Sequence, residues 1–158
     1  GKIIDLDMAA WKTNCKANLD AVFVTTKIVL PWMMEAKNGA IVNIASVVGL
    51  KGVSYMSGYG AAKAGLINFS RASAIEAAPF VRVNCIIPGA VETPATKRAI
   101  PSDEMMEATA QSIPLKRIAH PDEIAHPIIF LLSSDASFIT GSSLIVDGGK
   151  TADLNAGN

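Results

Sequence analysis

Two short strand-like segments, Ala40–Ser46 and Val81–Ile87, constrain this chain more than any other feature. The first is apolar almost throughout, without the alternation of a strand that has one wet face, and the second reads as another buried strand. A run like the first belongs to a strand covered on both sides. The stretch between them fits a helix that opens at Ser57-Gly58 and ends near Ala78-Pro79. A helix joining two doubly covered strands is the crossover of a parallel sheet.

The rest of the chain repeats the alternation. Asp5 or Asp7 is placed to cap a long helix over about 8–36, with Pro31 expected to kink or interrupt it. Asn38-Gly39 turns into the first strand, and Pro88-Gly89 stops the second. Residues 94–114 form a polar, methionine-containing segment with short helices. Pro121-Asp122-Glu123 starts another helix, with proline first and acids in the first turn. His126-Pro127 lies inside that helix and suggests a kink. Leu144–Val146 is a third strand, closed by Asp147-Gly148-Gly149. The fold class is therefore α/β, a doubly wound parallel sheet of Rossmann type. The strand count is short of a full sheet, so residues 1–150 read as the C-terminal half of one such domain, and 151–158 as a tail expected to be disordered or loosely docked.

Composition removes several function classes. Fourteen basic residues balance fourteen acidic ones. A neutral surface argues against a nucleic-acid or anionic-membrane partner, which a basic one would attract. The two cysteines, Cys15 and Cys85, both fall in apparently buried elements, as reduced cytoplasmic thiols do. Apolar stretches are broken by Lys, Asn or Gly, so no membrane span is expected, and no signal peptide is visible. His120 and His126 are six apart, a poor spacing for one helix face, and no metal site is expected.

The chemistry-bearing feature is Tyr59-Gly60-Ala61-Ala62-Lys63, with Ser46 thirteen residues upstream. Residues four apart share a helix face, so Lys63 sits beside the Tyr59 ring. A phenol titrates near ~10, and a fixed ammonium beside it favours the phenolate. The pair suits proton exchange with an alcohol or carbonyl. Alone, a tyrosine and a lysine at this spacing also describe an ordinary solvated helix. Tyr55 has no lysine four residues on and reads as loop or pocket wall.

Further segments stand at matching distances: Ala17-Asn18-Leu19, Gly39 through Ser46, Val81 through Gly89, Ala90 through Pro94, Pro121 through Ala125, and Ile139-Thr140-Gly141 through Gly149. In this order the chain resembles the short-chain dehydrogenase/reductase family from about Asp5 to Gly149. It looks most like its 3-oxoacyl-carrier-protein reductases and secondary-alcohol dehydrogenases. The resemblance implies an NAD(P)-dependent oxidoreductase that interconverts a secondary alcohol and a ketone. It makes Tyr59 the general acid in reduction and the base in oxidation. Lys63 would hold the nicotinamide ribose and lower the tyrosine's pKa, and Ser46 would donate to the substrate oxygen. Asn18 would hold a water linking Lys63 to solvent. Pro88, Gly89, the Val91 backbone and the Thr93 hydroxyl would meet the nicotinamide carboxamide.

Plainer readings stand beside two of these. Asn18 could be a helix-kink residue bonded to nearby backbone, and Ser46 could cap the turn after its strand. The substrate wall would be Val47, Val48, Met56 and the 94–112 segment, mostly apolar, with 94–112 ordering as a lid when ligands bind. Asp20, the His126-Pro127 pair and a short stretch between Glu76 and Arg82 depart from the family pattern.

No glycine-rich phosphate turn follows a strand here, nor does the family's Asn-Asn-Ala-Gly strand end. The chain thus resembles the second half of the family's fold, and the choice between NAD and NADP would lie in the other half. A piece of a longer protein, or a partner chain supplying the first half, are both open. A non-catalytic remnant serving as an oligomerisation or scaffold piece is the alternative function. The helices around 8–36 and 57–78 carry apolar residues on more than one face, Val22, Phe23 and Val29 on one and Leu66, Phe69 and Ala74 on the other, so what does not cover the sheet must meet something else. The resemblance implies that these helices pair in a homodimer or homotetramer, with a second contact near Leu144–Val146.

Overall fold

The structure, a computed structural model, describes residues 1–153. Three parallel strands lie in the order β1 (Gly39–Ile44), β2 (Val81–Pro88), β3 (Ser143–Val146). β1 pairs with β2 from Gly39↔Val81 to Ile44↔Ile86, and β2 pairs with β3 from Cys85↔Ser143 to Pro88↔Val146. The helices are α1 (Met8–Cys15), α2 (Ala21–Glu35), α3 (Ser57–Ala77), α4 (Pro94–Ala99), α5 (Asp103–Gln111) and α6 (Pro121–Leu132).

The central strand explains the layering. Val81 and Val83 pack with Ala74 and Ala77 of α3 and with Leu30, Met33 and Met34 of α2. Cys85 and Ile87 meet Ile67 of α3 and Ala45. Ile86 points the other way, onto Ile124 and Leu131 of α6. Odd residues of β2 thus face α2 and α3, while Ile86 faces α6, so both faces of the strand are covered; Arg82 and Asn84, also at even positions, donate to the carbonyls of Leu131 and Ile139. Each fully buried aliphatic side chain there contributes roughly 1.5–3 kcal/mol.

The first long helix differs from the sequence expectation. Asp7, not Asp5, caps it, accepting from Ala10 N at 2.6 Å. The interruption is a π-helical turn at Lys16–Asp20, and α2 runs on through Pro31. Proline removes one helix hydrogen bond, but Leu30, Met33 and Met34 pin that stretch to the sheet and hold it helical.

At α6, His120 acts as a cap. Its Nδ1 accepts from Asp122 N, while Glu123 accepts from His120 N at 2.9 Å. Arg117 grips the same carboxylate with both guanidinium nitrogens, and its hydrogen bond holds Glu123 to about 2. The helix continues through Pro127 to Leu132.

Of the tail 151–158, residues 154–158 lie outside the described residues, and Thr151 is tied down. Its N–H and hydroxyl both donate to Asp147 Oδ2 at 2.7 Å, and Gly149 N donates to Oδ1 at 2.9 Å. Burial alone raises the Asp147 carboxyl, but the donors from Thr151 and Gly149 outweigh it and hold it below its ordinary value. A carboxyl lowered by folding stabilises the fold above its unfolded value, and that contribution is lost as pH falls through the folded value. Asp147→Asn is expected to melt below wild type at neutral pH, with the gap closing on acidification through the carboxylate range. Thermal melts across that range check it; a gap that stays constant would assign the effect to packing.

Candidate active site

Because the strands are parallel, their carboxyl ends share one edge. Ser46 follows β1, the segment from Pro88 to Thr93 leaves β2, and Asp147 follows β3. Ligands of open α/β sheets bind outside this edge.

Tyr59 and Lys63 occupy successive turns near the start of α3, both half-buried. The Lys63 Nζ lies 5.6 Å from the Tyr59 ring centroid and donates to the Ile44 carbonyl at 2.8 Å. The ammonium is therefore anchored between helix and strand end. Burial lowers its pKa from the ordinary lysine value. Cys85 lies close enough to influence it electrostatically, and burial pushes that thiol up, towards the neutral form.

Ser46 heads a short 3-10 turn, Val47–Gly49, that lies directly on α3. A side chain at Gly49 would put its Cβ 2.8 Å from the Lys63 carbonyl carbon, and one at Gly60 would sit 3.0 Å from the Val48 oxygen. Turn and helix thus meet backbone to backbone, which fixes Ser46 relative to the Tyr59 turn. Ser46 Oγ accepts from Val48 N at 3.3 Å, so it does cap the turn. A hydroxyl has a second lone pair and its own proton, so the cap leaves the O–H able to donate.

Asn18 lies within the π turn, where one extra residue is inserted into the helix. Its Nδ2 donates to Asn14 O at 3.2 Å, the backbone bond of the plainer reading. Asn14 and Leu19, on either side of it in sequence, pack against α3 at Gly58 and Gly65. The turn therefore lies along the helix that carries Tyr59 and Lys63.

After β2, Gly89 N donates to Val146 O at 3.0 Å, and Val91 bridges to Ala119. Thr93 caps α4, accepting from Thr96 N at 3.2 Å. The Thr96 hydroxyl donates to Val91 O at 2.6 Å, so its single proton is committed. The 3.0 Å contact between the two threonine hydroxyls must then run from Thr93 to Thr96. Thr93 keeps one acceptor lone pair, which suits an amide N–H and not a carbonyl. Neither the Ile44 carbonyl nor Thr96 stood out in the sequence. A carbonyl has no residue signature, while the three-residue spacing of Thr93 and Thr96 was a usable sign.

Two residues of the expected substrate wall border one groove, which Ser46, Tyr59 and Lys63 do not line. Val48 and Met56 line a groove of about 340 Å³ with Leu50, Val53 and Gly60. Tyr55, in a loop at φ 68°, borders a neighbouring groove of about 490 Å³ with Ile3 and Ile4. Val47 does not belong to the wall; it packs against the Ala45, Ile67, Cys85 and Ile87 cluster because the 3-10 turn rotates it inward.

The arrangement matches a known family. A family model described as enoyl-(acyl carrier protein) reductase matches residues 1–151. The 3-oxoacyl-[acyl-carrier-protein] reductase of Chlamydia muridarum is 42% identical over 140 residues, 88% of this chain and 56% of that protein. The cis-4-hydroxycyclohexanecarboxylate dehydrogenase of Sinomonas cyclohexanicum is 42% identical over 149 residues, 94% of this chain and 59% of that protein. Among solved structures, levodione reductase superposes with a TM-score of 0.94 at 35% identity, covering 98% of this chain and 62% of that one. A structure described as ElxO with NADP bound has a TM-score of 0.90 at 28% identity, covering 97% of this chain and 62% of that one. The chain belongs to the short-chain dehydrogenase/reductase family. It spans somewhat under two thirds of the length of these relatives.

The backbone contact between the 47–49 turn and α3 is directly testable. Gly49→Ala forces the turn away from Lys63 and is expected to lose about 1–3 kcal/mol, the usual range for overpacking. Urea unfolding measures it, and an unchanged midpoint would contradict the close approach.

Proposed function

We propose that the protein is an NAD(P)-dependent oxidoreductase that interconverts a secondary alcohol and a ketone. One observation carries the reading: the Lys63 ammonium, beside the Tyr59 ring, is anchored to the strand end from which Ser46 emerges. In reduction Tyr59 gives its phenolic proton to the carbonyl oxygen, and in oxidation it takes the hydroxyl proton. The Ser46 O–H donates to the same oxygen and stabilises the charge that develops there. Lys63 holds positive charge beside the phenol. Asn18, with one amide hydrogen spent on Asn14, orients a water that returns the proton from solvent.

The residues present fit the nicotinamide end of the cofactor. Thr93 has an acceptor to spare for a carboxamide and Lys63 suits a ribose hydroxyl, while Gly89 serves the fold, with its N–H on Val146 O and its bare Cα against Asp147. When bound, the cofactor supplies the hydride. The nicotinamide end is common to NAD and NADP, so this reading covers both. The apolar side chains of Val48 and Met56, in the segment that joins Ser46 to α3, favour a medium-sized hydrophobic ketone, with residues 94–112 closing over the site when ligands bind.

The assembly reading rests on apolar side chains left open. Leu66 and Ala74 of α3 take no part in it, since both are buried in the core, but Phe23, Val24, Ile28 and Trp32 on α2 are about half exposed or more, at 48, 50, 55 and 70%, and Leu144 and Ile145 of β3 are exposed at 39 and 43%. Pairing through α2 and α3, and through β3, would make a homodimer or homotetramer. We place the protein in the cytoplasm, in keeping with two unpaired cysteines and no helix long and apolar enough to cross a membrane among the described residues.

Tyr59→Phe in the full-length protein is expected to reduce ketone turnover ~10²–10⁴-fold, since it removes only the transferable proton. Cofactor binding and the circular dichroism spectrum should stay close to wild type. Steady-state assays with each nicotinamide cofactor measure it, and a loss under about tenfold would remove Tyr59 from the acid–base role. Light scattering at micromolar concentration should give two or four times the monomer mass; a monomer would refute the proposed faces.

A further inference from the structure

The site depends on where one backbone carbonyl sits. Ile44 O holds the Lys63 ammonium at 2.8 Å, so sliding β1 along α3 would move the anchor away from the lysine. Most of what joins strand and helix cannot prevent such a slide. Ala45, just past β1, meets Ile67 of α3 in an apolar and therefore non-directional cluster that Cys85 and Ile87 of β2 complete.

One contact between the two elements is directional and unused by the mechanism. Asn43, next to Ile44 on β1, donates from Nδ2 to Ser70 Oγ at 2.9 Å. Both residues are buried, at 6% and 1% exposure, among mostly apolar side chains, with the Cys85 thiol also beside Ser70. The direction of the bond is fixed by Ser70, whose own proton goes to Leu66 O at 2.8 Å, leaving its oxygen to accept. Ser70 lies seven residues beyond Lys63, two turns along the same face of α3. Adjacent residues of β1 thus grip α3 at two points two turns apart, one through Lys63 and one through Ser70.

An apolar residue of similar size would fill the Asn43 position at least as well for packing. A buried amide is useful there only if its bond selects one arrangement. We propose that the Asn43–Ser70 hydrogen bond is a register clamp that places the Ile44 carbonyl for Lys63, making Asn43 and Ser70 positioning residues of the active site. The catalytic part of this proposal rests on the oxidoreductase reading above; the placement of Lys63 does not.

Two variants remove the bond from opposite ends: Asn43→Leu, which keeps the volume, and Ser70→Ala, which deletes one hydroxyl. In the full-length protein, the Lys63 ammonium is expected to give an exchange-protected ¹H–¹⁵N signal, assigned by its loss in Lys63→Met. That signal should disappear in both variants while thermal melts still show cooperative folding. With a ketone substrate, kcat should fall on the order of 10–100-fold, while KM for the ketone stays within about twofold, as for a displaced catalytic group. A protected signal that persists in folded variants, or an unchanged kcat, would overturn the clamp. Should Asn43→Leu fail to fold, Ser70→Ala decides alone. Should wild type reduce no ketone with either cofactor, the oxidoreductase reading falls and the ammonium signal still decides the clamp.

Discussion

The close seating of α3 on β1 and β2 is the contact on which the rest of this structure depends. Leu66, Ile67, Ala74 and Ala77 of the helix, and Val81, Val83, Cys85 and Ile87 of the strand, are almost wholly removed from water. That burial drives the two elements together, but it does not say where along the strand the helix should stop. The directional contacts do so: Asn43 to Ser70, Lys63 to Ile44 O, and the backbone approach at Gly49 and Gly60. Hydrophobic area supplies the adhesion, and a few polar and steric contacts supply the position.

The same division holds at the carboxyl edge. The segment after β2 is ordered by a chain of hydroxyls, from Thr93 to Thr96 to the Val91 carbonyl. Asp147, after β3, gathers Gly149 and Thr151 around one carboxylate. The amino edge is tied differently. There Arg82 donates to the carbonyls of Leu131, Leu132, Ser133 and Ile139, capping the end of α6. Its fork is spent on backbone and holds the helix end to β2. The polar groups with capacity left over, Ser46 and Thr93, lie on the opposite edge, where a substrate and cofactor would need them.

Several plain and functional readings prove compatible. Ser46 caps the turn and keeps a proton to donate; Asn18 bonds the Asn14 carbonyl and has a second amide hydrogen and an oxygen. A side chain with more than one hydrogen-bonding site can serve the fold and the chemistry together.

What the sequence determined by itself was the kind and order of the elements. The mostly apolar run at 40–46 required a strand covered on both faces, and Tyr59 with Lys63 required a shared helix face, because period and spacing are local properties of a chain. Ser46 and Asn18 were legible only through the company of the other motifs. Three features needed the tertiary structure. The helix before β1 breaks at Lys16–Asp20 and not at Pro31, because packing of Leu30, Met33 and Met34 outweighs one lost hydrogen bond. Val47 turns into the core and leaves Val48 to line the groove, because a 3-10 turn follows the strand. The Lys63 anchor is a backbone carbonyl, which every residue owns and no sequence marks. Only the stacking of α3 on β1 decides which carbonyl meets the ammonium, since that depends on contacts between residues 19 positions apart.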